Sequence, residues 1–308
     1  MQVHPIRFVV QLPGVDGVKA WLDDLRWAED AGFHAASVPD HLGRSLRQLG
    51  LFASLGAAAM ATSTMRLATT VVNNDFRSLA ELAKELATVD QLCDGRLVVG
   101  IGAGWAPDDY TETGFGWDTG AERIDRLAEA VPILRALLAG ETVTHAGPHY
   151  RLEGHATFPR PVQQPVPLLI GGGGRRILSL AARTADLVGI VTRLSGPGAG
   201  DVSADAARQQ VAWVRDAAGT RLPDIEVGVR VLFSEVGEDR RAIAERIAGE
   251  RGVDPSALLE SPYGLIGPLP AVKEHVLRVR QELGISHFTV HAWTARQIAP
   301  LVSALAGT

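Results

Sequence analysis

The sequence predicts a (β/α)8 barrel, and three observations point to it. Eight short apolar or β-branched runs alternate with amphipathic stretches of helix length along the whole chain. The length, 308 residues, suits such a barrel as one domain. No Gly/Pro-rich linker or shift in composition divides the chain, so residues 1–308 read as a single domain. An open doubly wound sheet with a second domain is the competing architecture.

Residues 6–11 form the first strand, a β-branched run closed by the turn at Leu12-Pro13-Gly14. A helix over 18–31 follows, with Val18, Trp21, Leu22, Leu25 and Ala28 at three- and four-residue steps; Gly32 stops it. Residues 35–38 are strand two and 49–61 its helix; 66–72 are strand three and 78–92 its helix. Strand four, 96–101, is almost continuously apolar, as a strand buried on both faces should be. The next helix is delayed to 121–138, so residues 102–120, rich in Gly, Trp, Asp and Tyr, form an insertion. A hairpin-like stretch at 141–152 precedes strand five at 166–170 and its helix at 175–183. Strand six covers 186–191. The Gly/Ser/Pro loop at 194–202 is longer than a connector needs to be and forms a second insertion, a candidate lid or disordered tip. A helix at 204–218, a strand at 225–233, helices at 239–249 and 272–283, a strand at 285–291 and a helix at 294–305 complete the series.

Composition excludes several functions. Hydrophobic residues make up 46% of the chain and charged residues 21%, which is the balance of a folded globular protein. The net charge of -5 argues against nucleic acid as a partner, since that usually needs a basic face. The longest apolar run, 51–61, is too short for a membrane span of about 20 residues. The first residues lack a cationic segment followed by an apolar core, so a cytoplasmic protein is expected. The single cysteine, Cys93, excludes an intrachain disulfide and a cysteine cage for a metal. There is no His-Glu-x-x-His, no Gly-x-Ser-x-Gly and no Walker A motif, and no metal is expected.

In a barrel of this kind, chemistry belongs at the C-terminal ends of the strands. Strand two ends in Pro39-Asp40-His41, a carboxylate beside an imidazole able to exchange a proton near neutral pH. Its bland counterpart is a helix cap beside a loop histidine. Strand four ends in Gly102-Ala103-Gly104-Trp105. With Gly100 these glycines imitate part of a dinucleotide fingerprint, but the third comes one position early and no helix follows at once. Strand five ends in Gly171, Gly172, Gly173 and Gly174, then Arg175. Four glycines exceed what a tight turn requires, and a backbone that a ligand can approach closely, leading into a helix N-terminus, suits phosphate. Trp105, Phe115 and Trp117 in the first insertion can wall an apolar cofactor or substrate pocket, with His291 and Trp293 as further pocket candidates. Cys93 reads as packing.

Pro39-Asp40-His41, the run from Leu67 through Asn73-Asn74-Asp75-Phe76-Arg77, Leu82-Ala83-Lys84-Glu85, and Asp94-Gly95-Arg96 continuing to Trp105 together resemble the bacterial luciferase-like superfamily. Pro161 to Pro165, the glycine run and Ala181 to Asp186 extend the likeness from strand one to strand six. Within that superfamily the chain is most similar to the compact coenzyme F420-dependent oxidoreductases of actinobacteria. The resemblance implies a luciferase-like (β/α)8 barrel with insertions after strands four and six. It places His41 at the deazaflavin ring as the catalytic residue, with Asp40 and Asn73 as cofactor-contacting neighbours. It places a non-prolyl cis peptide bond at Thr70-Val71, behind the ring, and counts Thr70, Val71, Gly102, Ala103 and Gly104 among the cofactor-binding residues. It assigns Gly171 to Gly174, Arg175 and Thr192 to phosphate binding. It also implies a homodimer, a small-molecule substrate and a separate flavin or F420 reductase that supplies reduced cofactor. In the sugar-phosphate dehydrogenase branch a catalytic glutamate follows the strand-four glycines; Trp105 stands there in this sequence, which makes glucose 6-phosphate a poor substrate. Three functions remain open on these residues: hydride transfer with F420, an FMN-dependent monooxygenase using reduced flavin and O2, and a non-catalytic cofactor-binding barrel.

Overall fold

Every run read as a strand contains strand in the structure, a computed structural model that describes residues 4–14, 17–193 and 200–308. In chain order the strands are β1 (Arg7–Gln11), β2 (Ala35–Val38), β3 (Arg66–Thr69), β4 (Val72–Asn73), β5 (Leu97–Gly102), β6 (Val143–Ala146) and β7 (Arg151–His155). They continue as β8 (Leu168–Gly172), β9 (Leu187–Ile190), β10 (Glu226–Arg230), β11 (Phe233–Val236), β12 (Gly264–Gly267) and β13 (Ile285–His291). The helices are α1 (Val18–Asp30), α2 (Leu51–Ala61), α3 (Leu79–Leu92), α4 (Pro107–Thr111), α5 (Gly120–Leu138) and α6 (Arg175–Thr184). After them come α7 (Ala204–Ala218), α8 (Arg240–Arg251), α9 (Pro255–Glu260), α10 (Leu269–Leu283) and α11 (Ala292–Leu305).

Four expectations need correction. Strand three is two strands, β3 and β4, separated by a cis peptide bond at Thr70-Val71. The strand expected at 225–233 ends at Arg230; Phe233–Val236 leaves it to pair in parallel with Gly264–Gly267, a short glycine-flanked run with too little periodicity to be read. The hairpin lies at 143–155 rather than 141–152. Residues 102–120 are not all loop, since α4 stands within them. Of the second insertion, residues 194–199 lie outside the described residues.

The chain divides into two compact units, each discontinuous in sequence. One comprises Met1–Gln11, Ala28–Ala35 and Gly171–Thr308. Its strands run β1, β13, β10, β9, all parallel, with Arg7 beside His287 and Gln11 beside His291. Phe8 and Phe288 stack at 5.7 Å within its core, and both are fully buried. Beside them His287 is buried edge-on to His34, ring centroids 6.2 Å apart, and its Nδ1 has no hydrogen-bond partner among the described residues. Burial, then the charges of His34 and Arg7, push its pKa down from 6.5 to about 3. His291, at the far end of the same strand, is lowered to about 4 by burial and by Arg230. The unfolded chain protonates both imidazoles below about pH 6.5, while the folded chain resists until far lower pH. Their neutral state therefore stabilises the fold fully above pH 6.5 and progressively less as the pH falls toward 4 and then 3. Unfolding free energies from urea titrations are expected to drop between pH 7 and pH 5, by up to about 1.4 kcal/mol per pH unit for each histidine, and His287→Phe should flatten the slope.

The other unit comprises Leu12–Trp27 and Ala36–Ile170. In it β2 neighbours β3, and β5 pairs in parallel with β3, β4 and β8. Its helices begin where the sequence supplies caps. Ser78 accepts from Glu81 N–H at the start of α3, and Thr119 with Glu122 forms a capping box on α5. Glu129 of α5 pins the β6–β7 hairpin, accepting from His145 Nε2 at 2.8 Å and from the Tyr150 N–H at 3.0 Å. Those hydrogen bonds hold its carboxyl below the usual range, although burial opposes them. Cys93 is fully buried, and burial pushes its thiol pKa up, which fits packing rather than nucleophilic attack. No helix among the described residues is long and apolar enough to cross a membrane.

Candidate active site

The residues after β2 carry the site of the second unit. All four positions of β2 are buried, so the chain emerges rigidly at Pro39-Asp40-His41. Asp40, 4% exposed, grips Arg77 through both oxygens, at 2.6 and 2.9 Å, and also accepts from the Asn73 N–H at 3.0 Å. It thereby brackets the segment after β2 to the end of β4. His41 points its Nδ1 at Asp109 Oδ2, 2.6 Å away, and its ring meets Trp105 edge-on at 5.5 Å. Asp109 Oδ1 accepts from the N–H groups of Leu42, at 2.9 Å, and Gly43, at 2.7 Å. Among the described residues Nε2 of His41 has no hydrogen-bond partner, while Trp105 is 47% exposed.

Behind this lies the close approach of β5 to the third strand. A Cβ on Gly102 would sit 2.7 Å from Val71 Cγ2, and one on Gly100 would collide with Thr69 O, so these glycines answer to packing rather than to a dinucleotide. Gly104 has φ +72°, and a side chain there would run into the Tyr110 hydroxyl. That hydroxyl donates between Asn73 Oδ1 at 3.0 Å and Asp75 Oδ2 at 2.9 Å. Burial, then the charge of Asp75, drives the Tyr110 pKa well up, so it remains a neutral donor. Phe76, Tyr110, Phe115 and Trp117 make a continuous aromatic cluster at centroid distances of 4.7 to 5.4 Å. Arg123 lies 3.6 Å over the Trp117 ring and donates to Ala103 O at 2.9 Å, while Arg126 pairs with Asp75 and Asp118.

The first unit carries the glycine element. Gly174 is the N-cap of α6, with no side chain capping the helix and no acidic residue in the first turn. A Cβ at 174 would meet nothing within 4 Å, whereas one at Gly173 would sit 2.7 Å from Val191 O and Thr192 O and 2.8 Å from Arg193 N. Gln210 Nε2 fastens the same place, donating to Gly173 O at 2.9 Å and Val191 O at 2.8 Å, and its Oε1 accepts from the Tyr263 hydroxyl. Gly173→Ala must displace backbone, not side chain, and is expected to cost about 1–3 kcal/mol. Gly174→Ala should be nearly neutral; thermal melts of the two variants check the contrast. Thr192 is buried beside Gly173, and Arg175 is exposed in the first turn of α6. His291 has other neighbours: its ring stacks on Trp293 at 4.2 Å and 8°.

Of the residues singled out by sequence, Asp40, His41, Thr70, Val71, Asn73, Gly102, Ala103, Gly104, Trp105 and Trp117 fall in one unit, and Gly172 to Arg175, Thr192 and His291 in the other with Gly171. Sequence reasoning passed over Asp109, Tyr110, Arg77 and Gln210. For the first two there was a signal: Pro107 followed by two aspartates is a helix start. Among the described residues no cluster of three or more His, Cys, Asp or Glu could hold a metal ion.

Known proteins place these features in a family. The chain is 34% identical over 164 residues to an F420-dependent glucose-6-phosphate dehydrogenase of Microbacterium testaceum, covering 52% of this chain and 48% of that one. The chain thus spans about half the length of the first curated relatives it matches. A namesake from Nakamurella multipartita is 30% identical over 322 residues, covering 95% of this chain and 92% of its own. The coenzyme F420-dependent tetrahydromethanopterin reductase of Methanopyrus kandleri superposes with a TM-score of 0.77 at 17% identity, covering 96% of this chain and 98% of that chain. Likeness at that identity speaks for the fold, and the fold it shows is the luciferase-like (β/α)8 barrel that the strand–helix alternation predicts. The family model for luciferase-like monooxygenases matches residues 10–287, and the chain belongs to that family.

Proposed function

We propose that the chain is an F420-dependent oxidoreductase acting on a small, uncharged organic molecule with a carbonyl or unsaturated group and an apolar face. The observation that carries this reading is the open Nε2 of His41 beside the exposed Trp105. Taken unit by unit, the residues suit the separate parts of a deazaflavin with a phosphorylated tail. The uncapped start of α6, the open space at Gly174 and the exposed Arg175 suit a phosphate. Asp40, Thr70, Val71, Asn73 and Gly102 to Gly104 stand for the ring, and Gly171 to Arg175 with Thr192 for the phosphate. A bound deazaflavin gives or takes a hydride at its C5. His41 Nε2 holds or delivers the accompanying proton, while Trp105 and Trp117 exclude water and lie along the substrate.

Glucose 6-phosphate is disfavoured by two features. Trp105 stands where a carboxylate would act, and Arg77, Arg123 and Arg126 are each engaged within the protein. The relatives named for that sugar phosphate support the cofactor more than the substrate. We further read residues 1–308 as one catalytic domain, since each unit is built from separated segments, and as a cytoplasmic homodimer supplied by a separate reductase. His291 is read as part of the pocket wall.

Fluorescence titration of the apoprotein with F420 and, separately, FMN tests the proposal. Micromolar or tighter binding of F420 with weak FMN binding supports it. Preference for FMN, with oxygen consumed in step with product, would move the function to the monooxygenase chemistry of the family's name. Binding without turnover over a broad panel of carbonyl and alkene compounds would leave a cofactor-binding barrel.

A further inference from the structure

We infer that Asp109 is a positioning residue that fixes the tautomer of His41, so that the lone pair of Nε2 faces the reacting molecule. This rests on the proposed role of His41, but its structural part stands on geometry alone. Asp109 is 2% exposed, and its neighbour Asp108 is exposed, although both lie in the first turn of α4. The burial is not idle. Oδ1 is fully occupied by the N–H groups of Leu42 and Gly43, and Oδ2 alone faces the imidazole, at 2.6 Å from Nδ1. An ionised carboxylate accepts hydrogen bonds and cannot donate. Nδ1 must therefore carry a hydrogen, and in the neutral ring the lone pair falls to Nε2. The turn is tightly closed on the helix: a Cβ on Gly43 would come within 3.1 Å of Asp109 Oδ1 and 3.2 Å of its backbone nitrogen. Among the described residues the imidazole thus has a fixed partner on one nitrogen and none on the other, an arrangement that readies Nε2 to take a proton from a substrate hydroxyl and return it to a carbonyl oxygen.

The bland account is that Asp109 merely clamps the 41–43 turn through the two N–H groups. Asp109→Asn separates the two accounts. The amide oxygen can keep both N–H bonds, and its NH2 must then face His41 Nδ1. That makes Nδ1 an acceptor and moves the hydrogen to Nε2. Nitrogen-15 spectra of the apoprotein at a pH where His41 is neutral are expected to show the Nδ1–H form in the parent and the Nε2–H form in Asp109→Asn. Turnover should fall by about 100-fold or more, with F420 affinity changed less than twofold. Asp108→Asn should leave both readouts as in the parent. An Nε2–H form in the parent, or an unchanged tautomer and unchanged turnover in Asp109→Asn, overturns the inference. Should Asp109→Asn fail to fold, the parent spectrum alone still decides the tautomer. Absence of F420 binding in the parent would instead defeat the proposed function and leave the tautomer result standing.

Discussion

Replacing His41 by alanine is expected to lower turnover by about 10²–10⁴-fold, the usual worth of a positioned proton-transfer group. The dissociation constant for F420 should change little. Nothing in the ring's surroundings makes His41 a holder of the fold: one nitrogen meets Asp109, the other meets no protein group among the described residues, and the face is bounded by the exposed Trp105. Steady-state rates and a fluorescence titration on the same preparation separate the two effects. Equal losses in rate and in binding would mean that the imidazole holds the cofactor rather than the proton. Circular dichroism should be unchanged, which distinguishes His41 from its sequence neighbour.

That neighbour is expected to behave differently. Arg77→Leu would leave the Asp40 carboxylate buried without its partner, and losing one member of a buried pair costs about 3–5 kcal/mol. Asp40 is 4% exposed and accepts three hydrogen bonds, two of them from Arg77. The Asn73 N–H alone cannot compensate its charge. Arg77 also lies 5.0 Å from the centre of the Phe52 ring, so part of the loss is packing. Combining Arg77→Leu with Asp40→Asn should recover much of the stability, since the uncompensated charge is the larger cost. Urea unfolding of the parent, both single variants and the double variant gives the coupling directly. A loss below about 1 kcal/mol for Arg77→Leu would show that water reaches Asp40 and that the pair is a surface bridge.

The contrast between Asp40 and His41 shows what a sequence reveals. Their position after a buried strand was legible, because four apolar or small residues in a row end where polar ones begin. Their division of labour was not, because it depends on Arg77 and on Asp109, 68 residues from His41. No local pattern encodes a contact of that separation. The strands were legible for the same reason β2 was: continuous apolar runs between turn residues. The break between β3 and β4 left no mark on that pattern and was expected only from family resemblance. Helix α4, five residues long, is too short to show a 3.6-residue period. The glycines divided similarly. Gly171 to Gly174 stood out as too many for a turn, yet only the geometry separates Gly173, packed on Val191 and Thr192, from Gly174, which faces open space.

The pairing of β1 with β13 also constrains how the chain is made. Arg7 lies beside His287 and Gln11 beside His291, and the Ile6 N–H reaches Thr308 O at 3.1 Å. That edge of β1 finds its partner only once β13, about 280 residues further along the chain, has been made. At about 5–20 residues per second, the interval is on the order of tens of seconds. During it a buried, β-branched strand presents unpaired backbone groups to every other nascent chain nearby. Yield in a cell should therefore depend on holdase chaperones and on growth temperature more than the finished molecule's stability would indicate. A circular permutant in which β13 and α11 precede β1 should shorten that exposure and raise the soluble fraction without altering the site.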